Sequence, residues 1–469
     1  MVEKQTVWVR NPEYTLHYWD KETYLGLIRN KNSGETMILS PLSLIIYTFS
    51  DGKFTIDDAY ALIESYKSSN PIINSMDTDI KWSFKNLIEK GAILPSDEEG
   101  NRVSDRVVGS RKKVPELSSI YLYVTQACNL RCAHCYQRTD FTNKGRSHDF
   151  NQDVSMDDIF SVIDEAIPLG LSIVKITGGE PLLRPNIKEL ITGLVARNVE
   201  VAIETNGTMI DSKMAAFLAK NMVNISISLD GSTAERHDKI RRVKGAYDLA
   251  IQAIKHLAPI TSTLKVITAV SKDNIDDIEN ISRLIAGMGV KEHKINPVNE
   301  LGITGEREIR KIMLNPIEVH ELFKNLQKKD FEKKYGLHLF MEGPPSFFKL
   351  KEIALGQCGS CPFLNILGVL SNGELSFCGI GYTEGELKFG SAGMSSVKNI
   401  WENNEILKEA RECMPNGITG VCNKCVLLDR CHGSCRALAY QGKRVFSEPH
   451  PWCQYLYERG VFPAEYLVQ

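Results

Sequence analysis

The chain has 469 residues, of which 43% are hydrophobic, with 56 basic and 58 acidic residues and a formal charge of -2. That balance gives no basic surface for nucleic acid or an anionic membrane to select. No apolar run reaches the ~18 residues of a membrane span, and Met1–Gln5 opens no signal-peptide stretch, so the expectation is a cytoplasmic protein.

Residues 1–95 read as a small α+β unit. Strand-like runs cover 6–10, 15–18 and 35–39. Ser40-Pro41 then reads as an N-cap followed by proline at the first helical position. A second helix starts after Thr55. A third spans 77–90 and stops at Gly91, with 92–94 as a closing strand. Residues 96–117 are charged and turn-rich, which predicts a linker and a separable N-terminal unit.

From Ser119 strands and helices alternate, the pattern of βαβ units on a parallel sheet. The predicted strands are 119–125, 171–177, 199–205, 223–229, 264–270 and 290–296. One intervening helix opens at Ser155 with Asp158 three residues on, a capping-box-like pair. The others cover 187–197, 212–219, 247–257 and 274–287. Six β/α units over 118–300 are too few for a closed eight-stranded barrel. Residues 301–344 read as a bridging helical segment. Residues 345–469 are rich in Cys and Gly with little periodicity, so metal is expected to supply much of their stability.

Twelve cysteines without a secretion signal point to metal rather than disulfides. None precedes Cys128. Cys128, Cys132 and Cys135 follow the first barrel strand in C-x3-C-x2-C spacing. Three thiolates on such a loop can hold three irons of a cubane cluster, leaving the fourth iron open. Zinc is the alternative, but its nearest further ligand, His134, lies between two of the cysteines in a cramped loop. The second strand ends in Gly178-Gly179-Glu180-Pro181. Glycines there let backbone approach closely, and a carboxylate can take the amino group of a bound amino acid. Asn206 ends the third strand, and Ser228 and Asp230 end the fourth. Polar residues at these ends line the usual ligand face, or they cap the following turns.

The cysteine spacing followed by Gly-Gly-Glu-Pro resembles the radical S-adenosylmethionine (radical SAM) enzymes. The resemblance implies an open (β/α)6 three-quarter barrel. It implies a 4Fe–4S cluster on Cys128, Cys132 and Cys135 whose open iron takes the methionine end of SAM. One electron then cleaves SAM to a 5′-deoxyadenosyl radical. Gly178, Gly179 and Glu180 would hold the methionine amine. Asn206, Ser228 and Asp230 would lie near ribose and methionine, and His134 would pack on the adenine. Arg241 also resembles the family, with a solvated helix end as its alternative. The family's Gly-x-Ile-x-Gly-x-x-Glu pattern is not visible in the fifth strand.

The later cysteines resemble the SPASM extension of peptide-modifying radical SAM enzymes, which implies two auxiliary 4Fe–4S clusters. Cys361, Cys378 and Cys435 would bind cluster I, with Cys358 as its candidate fourth ligand. Cys422, Cys425, Cys431 and Cys453 would bind cluster II. Cys413 is left over, and zinc ribbons are the alternative for CxxC pairs. Three strands followed by three helices in residues 1–95 resemble a winged-helix peptide-recognition element, which implies a leader peptide added as a strand. A generic winged helix or an oligomerisation module is its alternative. Together these resemblances imply a maturase that cross-links a ribosomal precursor peptide, by thioether first and carbon–carbon bond second. A flavodoxin or ferredoxin would be its reductant. Formylglycine formation, as in anaerobic sulfatase maturases, is the alternative chemistry. An electron-carrying scaffold in 345–469 is a non-enzymatic one.

Overall fold

The computed structural model describes residues 7–20, 25–67, 80–96, 114–135, 148–300, 306–354, 357–359 and 361–468. The start of the first predicted strand, the start of the third predicted helix and most of the predicted linker lie outside them.

The N-terminal unit holds strands β1 (Val7–Arg10), β2 (Tyr14–Asp20), β3 (Leu25–Asn30), β4 (Thr36–Leu39), β5 (Asp51–Phe54) and β6 (Ile93–Ser96). They form two antiparallel sheets, ordered β5-β1-β6 and β2-β3-β4. The sequence reading missed β3 and β5. Near-continuous burial along β3 hides the alternation by which a strand is recognised. The predicted caps are present. Ser40 Oγ accepts the Ser43 N–H at 3.1 Å ahead of the helix Pro41–Phe49. Thr55 and Asp58 cap Ile56–Lys67 reciprocally. The helix Ile80–Glu89 ends at Gly91, whose φ of +68° suits a residue without Cβ. Trp8, Ile28, Ile46 and Phe84 centre the unit's own core.

The main sheet takes β7 (Ser119–Tyr123), β8 (Ile173–Thr177), β9 (Glu200–Thr205), β10 (Asn224–Ser228), β11 (Leu264–Val270) and β12 (Glu292–Pro297) in sequential, parallel order. All six follow the predicted strands. Crossover helices cover one face. In the helix Met156–Ala166, Ile159, Val162, Ile163 and Ala166 are buried at helical spacing. Each large apolar side chain buried this way contributes roughly 1.5–3 kcal/mol. Ser155 caps this helix by accepting the Asp158 N–H at 3.0 Å, while the Asp158 carboxylate takes the Ser155 hydroxyl.

The sheet continues beyond the predicted six strands. Strands β13 (His338–Glu342) and β14 (Cys358–Gly359) extend it in parallel beyond β12. On the other side β15 (Ile366–Val369) pairs in parallel with β7, followed by antiparallel β16 (Glu374–Ser376) and β17 (Lys388–Ser391). The sheet stays open, and the C-terminal chain supplies both of its edges. Two corrections follow. The bridging segment 301–344 ends in a barrel strand. Residues 345–469 share the main apolar core, with Trp401, Phe377 and Tyr466 buried in it, so metal is not their only support. Short runs such as Ile366–Val369 carry too little pattern to be read without their partners.

The N-terminal unit, which has a core of its own, also packs against the rest of the chain. Leu25 and Leu27 of β3 belong to the main core, beside the helix Leu350–Ala354, and His17 Nε2 meets the Glu465 carbonyl at 3.2 Å. Among the described residues no helix is long and apolar enough to cross a membrane.

Candidate active site

The cysteine loop leaves the carboxyl end of β7 and is held from two sides. On the β8 side the Gly179 N–H donates to the Thr125 carbonyl at 2.8 Å and the Glu180 N–H to the Ala127 carbonyl at 2.7 Å. This approach requires both glycines. A Cβ on Gly178 would lie 2.4 Å from the Thr125 oxygen, and one on Gly179 would lie 2.2 Å from the Ala127 oxygen. On the other side the helix Ala234–Arg241 presents terminal carbonyls that lack intrahelical donors. Ile240 accepts from the Ala133 N–H at 3.0 Å, and Arg241 from the Arg131 N–H at 3.1 Å.

The Arg241 side chain turns inward. Its Nε lies 2.7 Å from Asp230 Oδ2, and its Nη1 donates to Cys132 Sγ at 3.5 Å. Asp230 is fully buried and Arg241 is 7% exposed, so Arg241 is not a solvated helix end. Burial would raise the Asp230 carboxyl, but Arg241 and then His134 hold it below the usual carboxylate range. His134 Nε2 stands 3.6 Å from the same Asp230 oxygen, and burial pushes this imidazole down to about 4.

Glu180 is fully buried. Its Oε1 accepts from the Leu182 N–H at 3.1 Å and the Thr205 hydroxyl at 2.7 Å, and its Oε2 from the Asn206 N–H at 2.8 Å. Burial raises its pKa, and these three donors oppose the rise. The carboxylate thus ties the β8 loop to the end of β9 and keeps one acceptor direction on Oε2. Asn206 Nδ2 donates to Asn129 Oδ1 at 2.9 Å, while its Oδ1 accepts from Thr208, so this side chain braces the cysteine loop. Ser228 ends β10 half-buried, and its hydroxyl has no hydrogen-bond partner among the described residues.

Sequence reasoning missed several supports. Arg184 is buried and bridges the Val124 and Val154 carbonyls at 2.9 and 2.8 Å. Thr125 Oγ1 accepts the Ala127 N–H at 3.1 Å just before the loop. The sheet face opposite the crossover helices is polar. Lys175 Nζ donates to the Tyr121 hydroxyl at 3.1 Å, and Lys294 pairs with Glu342 at 2.6 Å. A period-2 reading of these strands could have found that face.

The later cysteines fall into two sets. Cys422, Cys425, Cys431 and Cys453 line one small cavity, together with Ser346 and His450. The His450 N–H donates to Cys422 Sγ at 3.4 Å, and Ser346 Oγ lies 3.3 Å from Cys453 Sγ. Burial, reinforced by the neighbouring sulfurs, pushes the Cys431 and Cys453 thiols well above their ordinary value. Cys361, Cys378 and Cys435 form the second set. Burial raises the Cys361 thiol first, and Cys435 and Cys378 add to it. Burial pushes the Cys358 thiol up to about 11, with Arg430 lowering it and Glu352 adding to the rise. Cys413 is half-buried at the end of the helix Glu405–Cys413.

All twelve cysteines are free thiols. Among the described residues no three His, Cys, Asp or Glu side chains converge tightly enough to hold a single metal ion. A four-iron cluster spans more than a point, and four cysteines around one cavity are the donor set such a group takes.

Residues 122–285 match the model of the radical SAM superfamily. Mycofactocin maturase MftC of Mycobacterium tuberculosis is 28% identical over 339 residues, covering 70% of this chain and 81% of that protein. AdoMet-dependent heme synthase of Methanosarcina barkeri is 26% identical over 353 residues, covering 71% of this chain and 95% of its own. The fold is similar to that of SuiB of Streptococcus suis, solved bound to precursor peptide SuiA, with a TM-score of 0.59, 15% identity, and coverage of 95% of this chain and 100% of that one. Residues 122–285 are thus a radical SAM domain, which indicates an enzyme and implies a 4Fe–4S cluster and SAM as cofactors.

Proposed function

We propose that this enzyme matures a ribosomal precursor peptide by installing a cross-link, with a thioether preferred over a carbon–carbon bond. Cys128, Cys132 and Cys135 would hold the catalytic 4Fe–4S cluster. When bound, that cluster and SAM supply a 5′-deoxyadenosyl radical, which takes a hydrogen atom from a peptide carbon. Gly178 and Gly179 keep the β8 loop against the cysteine loop, with room for the methionine end of SAM, and Glu180 Oε2 has a direction left for its ammonium. The Asp230–Arg241 pair and His134 would form the floor of the site. The polar inner wall of Tyr121, Lys175, Lys294 and Glu342 orients the peptide.

Two auxiliary 4Fe–4S clusters would sit in 345–469, one on Cys422, Cys425, Cys431 and Cys453, the other on Cys361, Cys378 and Cys435. That Arg430 and Glu352 are the charges acting on Cys358 favours a three-cysteine set for the latter, against its reading as the fourth ligand. Residues 1–95 would receive the leader peptide, with 96–117 as linker, 118–300 as barrel and 301–344 as bridge. A flavodoxin or ferredoxin would deliver the electron in the cytoplasm.

The observation that carries this reading is the N-terminal unit. The fold likeness to an enzyme solved with its precursor peptide extends over 95% of this chain. In the unit, the β2-β3-β4 sheet followed by helices offers edge strands β2 and β4 for strand addition. Because Leu27 of β3 is buried in the main core, removing residues 1–95 would strand apolar surface, so the test keeps the chain whole. Co-expression with a short neighbouring open reading frame should give a product lacking two hydrogens, read by mass spectrometry. A proline in the leader's docking strand should weaken binding at least tenfold by removing a ladder donor. A peptide modified equally well without its leader would sink the docking assignment. A product aldehyde captured by a hydrazide would favour formylglycine chemistry.

Glu180→Gln supplies a second test. One amide hydrogen must face a donor among Leu182, Thr205 and Asn206, which costs about 1–3 kcal/mol. The melting temperature should fall and calorimetric SAM affinity should drop about tenfold. Unchanged affinity in a folded variant would show that the carboxylate only braces the loop.

A further inference from the structure

Arg436 is the largest buried cation outside the catalytic site, with no exposed surface. No carboxylate lies within ion-pairing distance of it among the described residues. Its Nη1 donates to the Gly433 carbonyl at 3.0 Å and its Nη2 to the Phe446 carbonyl at 2.8 Å and to that of Glu448. Those bonds fix the guanidinium between Gly433 and the loop leading to His450. Its Nε–H is left buried without a hydrogen-bond partner among the described residues. An orphaned buried donor requires an explanation, and an absent ion or cluster is one. The cysteine sulfurs whose charge reaches the guanidinium most strongly are Cys422 and Cys431, both on the four-cysteine cavity.

We infer that Arg436 is a potential-setting residue of auxiliary cluster II, its fixed charge and free Nε–H stabilising the reduced state of the cluster on Cys422, Cys425, Cys431 and Cys453. The inference rests on the proposed cluster. Reducing a four-cysteine 4Fe–4S cluster adds one electron and so one negative charge. A buried cation favours that more anionic state, and its unpaired Nε–H is free to donate to a cluster sulfur, because both charge and hydrogen bonds to sulfur set such potentials. Neutral donors such as the His450 N–H cannot supply the charge.

The test uses the full chain, reconstituted anaerobically with iron and sulfide and carrying alanines at Cys128, Cys132 and Cys135, so that only auxiliary clusters remain. The signal lost in Cys453→Ala identifies cluster II. In a redox titration followed by electron paramagnetic resonance, Arg436→Gln should make cluster II at least tenfold harder to reduce at a fixed poise, about 59 mV for one electron. Cluster I should move less. Arg436→Lys, which keeps the charge, should recover part of the shift. Since the Gln variant can also lose the carbonyl contacts, the unsubstituted Arg436 is tested too. Selective 15N-arginine labelling should give a nitrogen hyperfine coupling on reduced cluster II, lost in the Lys variant. Intact iron with an unmoved cluster II potential, or no arginine coupling, would overturn the assignment. Absence of iron at these cysteines before any change to Arg436 would instead overturn the cluster reading.

Discussion

Alanine at Cys128, Cys132 and Cys135 together will abolish reductive SAM cleavage and remove one cluster's iron, leaving the iron of the later cysteines in place. The separation follows from the fold. The first three cysteines sit on the loop after β7, while Cys422, Cys425, Cys431 and Cys453 enclose their own cavity. Burial of its sulfur pushes the Cys128 thiol up to about 12, and cluster binding must displace that proton. Iron and sulfide analysis beside chromatography of 5′-deoxyadenosine measures both outcomes. Iron near twelve per intact chain is expected if three 4Fe–4S clusters bind. Residual deoxyadenosine above the no-enzyme control would sink the assignment of these cysteines.

Breaking the Asp230–Arg241 pair will have the largest effect on stability. Arg241→Leu leaves a fully buried carboxylate without its cation, a change that costs about 3–5 kcal/mol. Against a total of about 5–15 kcal/mol, this is a large fraction. The same change removes the donor to Cys132 Sγ, so cluster content should fall as well. Replacing Asp230 and Arg241 together by leucine should recover much of the stability, because no orphaned charge remains. Denaturant unfolding of the single and double variants measures the difference. A single variant within about 1 kcal/mol of the unchanged chain would show that water reaches the pair.

The helix Ala234–Arg241 shows where sequence reading stops. Its composition is strongly polar, and a solvated end was a fair alternative for Arg241. Only packing against the cysteine loop shows that its terminal carbonyls and guanidinium hold that loop. Glu180 teaches the same lesson. Its place after two glycines marked it for a ligand, yet three of its bonds run to Leu182, Thr205 and Asn206, residues brought near by the β8–β9 pairing. Cys358, close in sequence to Cys361, lies in the edge strand β14, where Arg430 and Glu352 are the charges that act on its thiol.

The sequence by itself determined the six central strands, the helix caps and the spacing of the cysteines. Those features are local: a strand period, a capping side chain and a ligand spacing each lie within a few residues. The tertiary structure alone decided that the C-terminal chain supplies both edges of the barrel sheet. It also decided that Leu25 and Leu27 join the main core, and that Asp230, Arg241 and Arg436 are buried charges. Each of these depends on surfaces that meet across hundreds of residues, where burial and pairing are set by the partner and leave no periodicity in the chain itself.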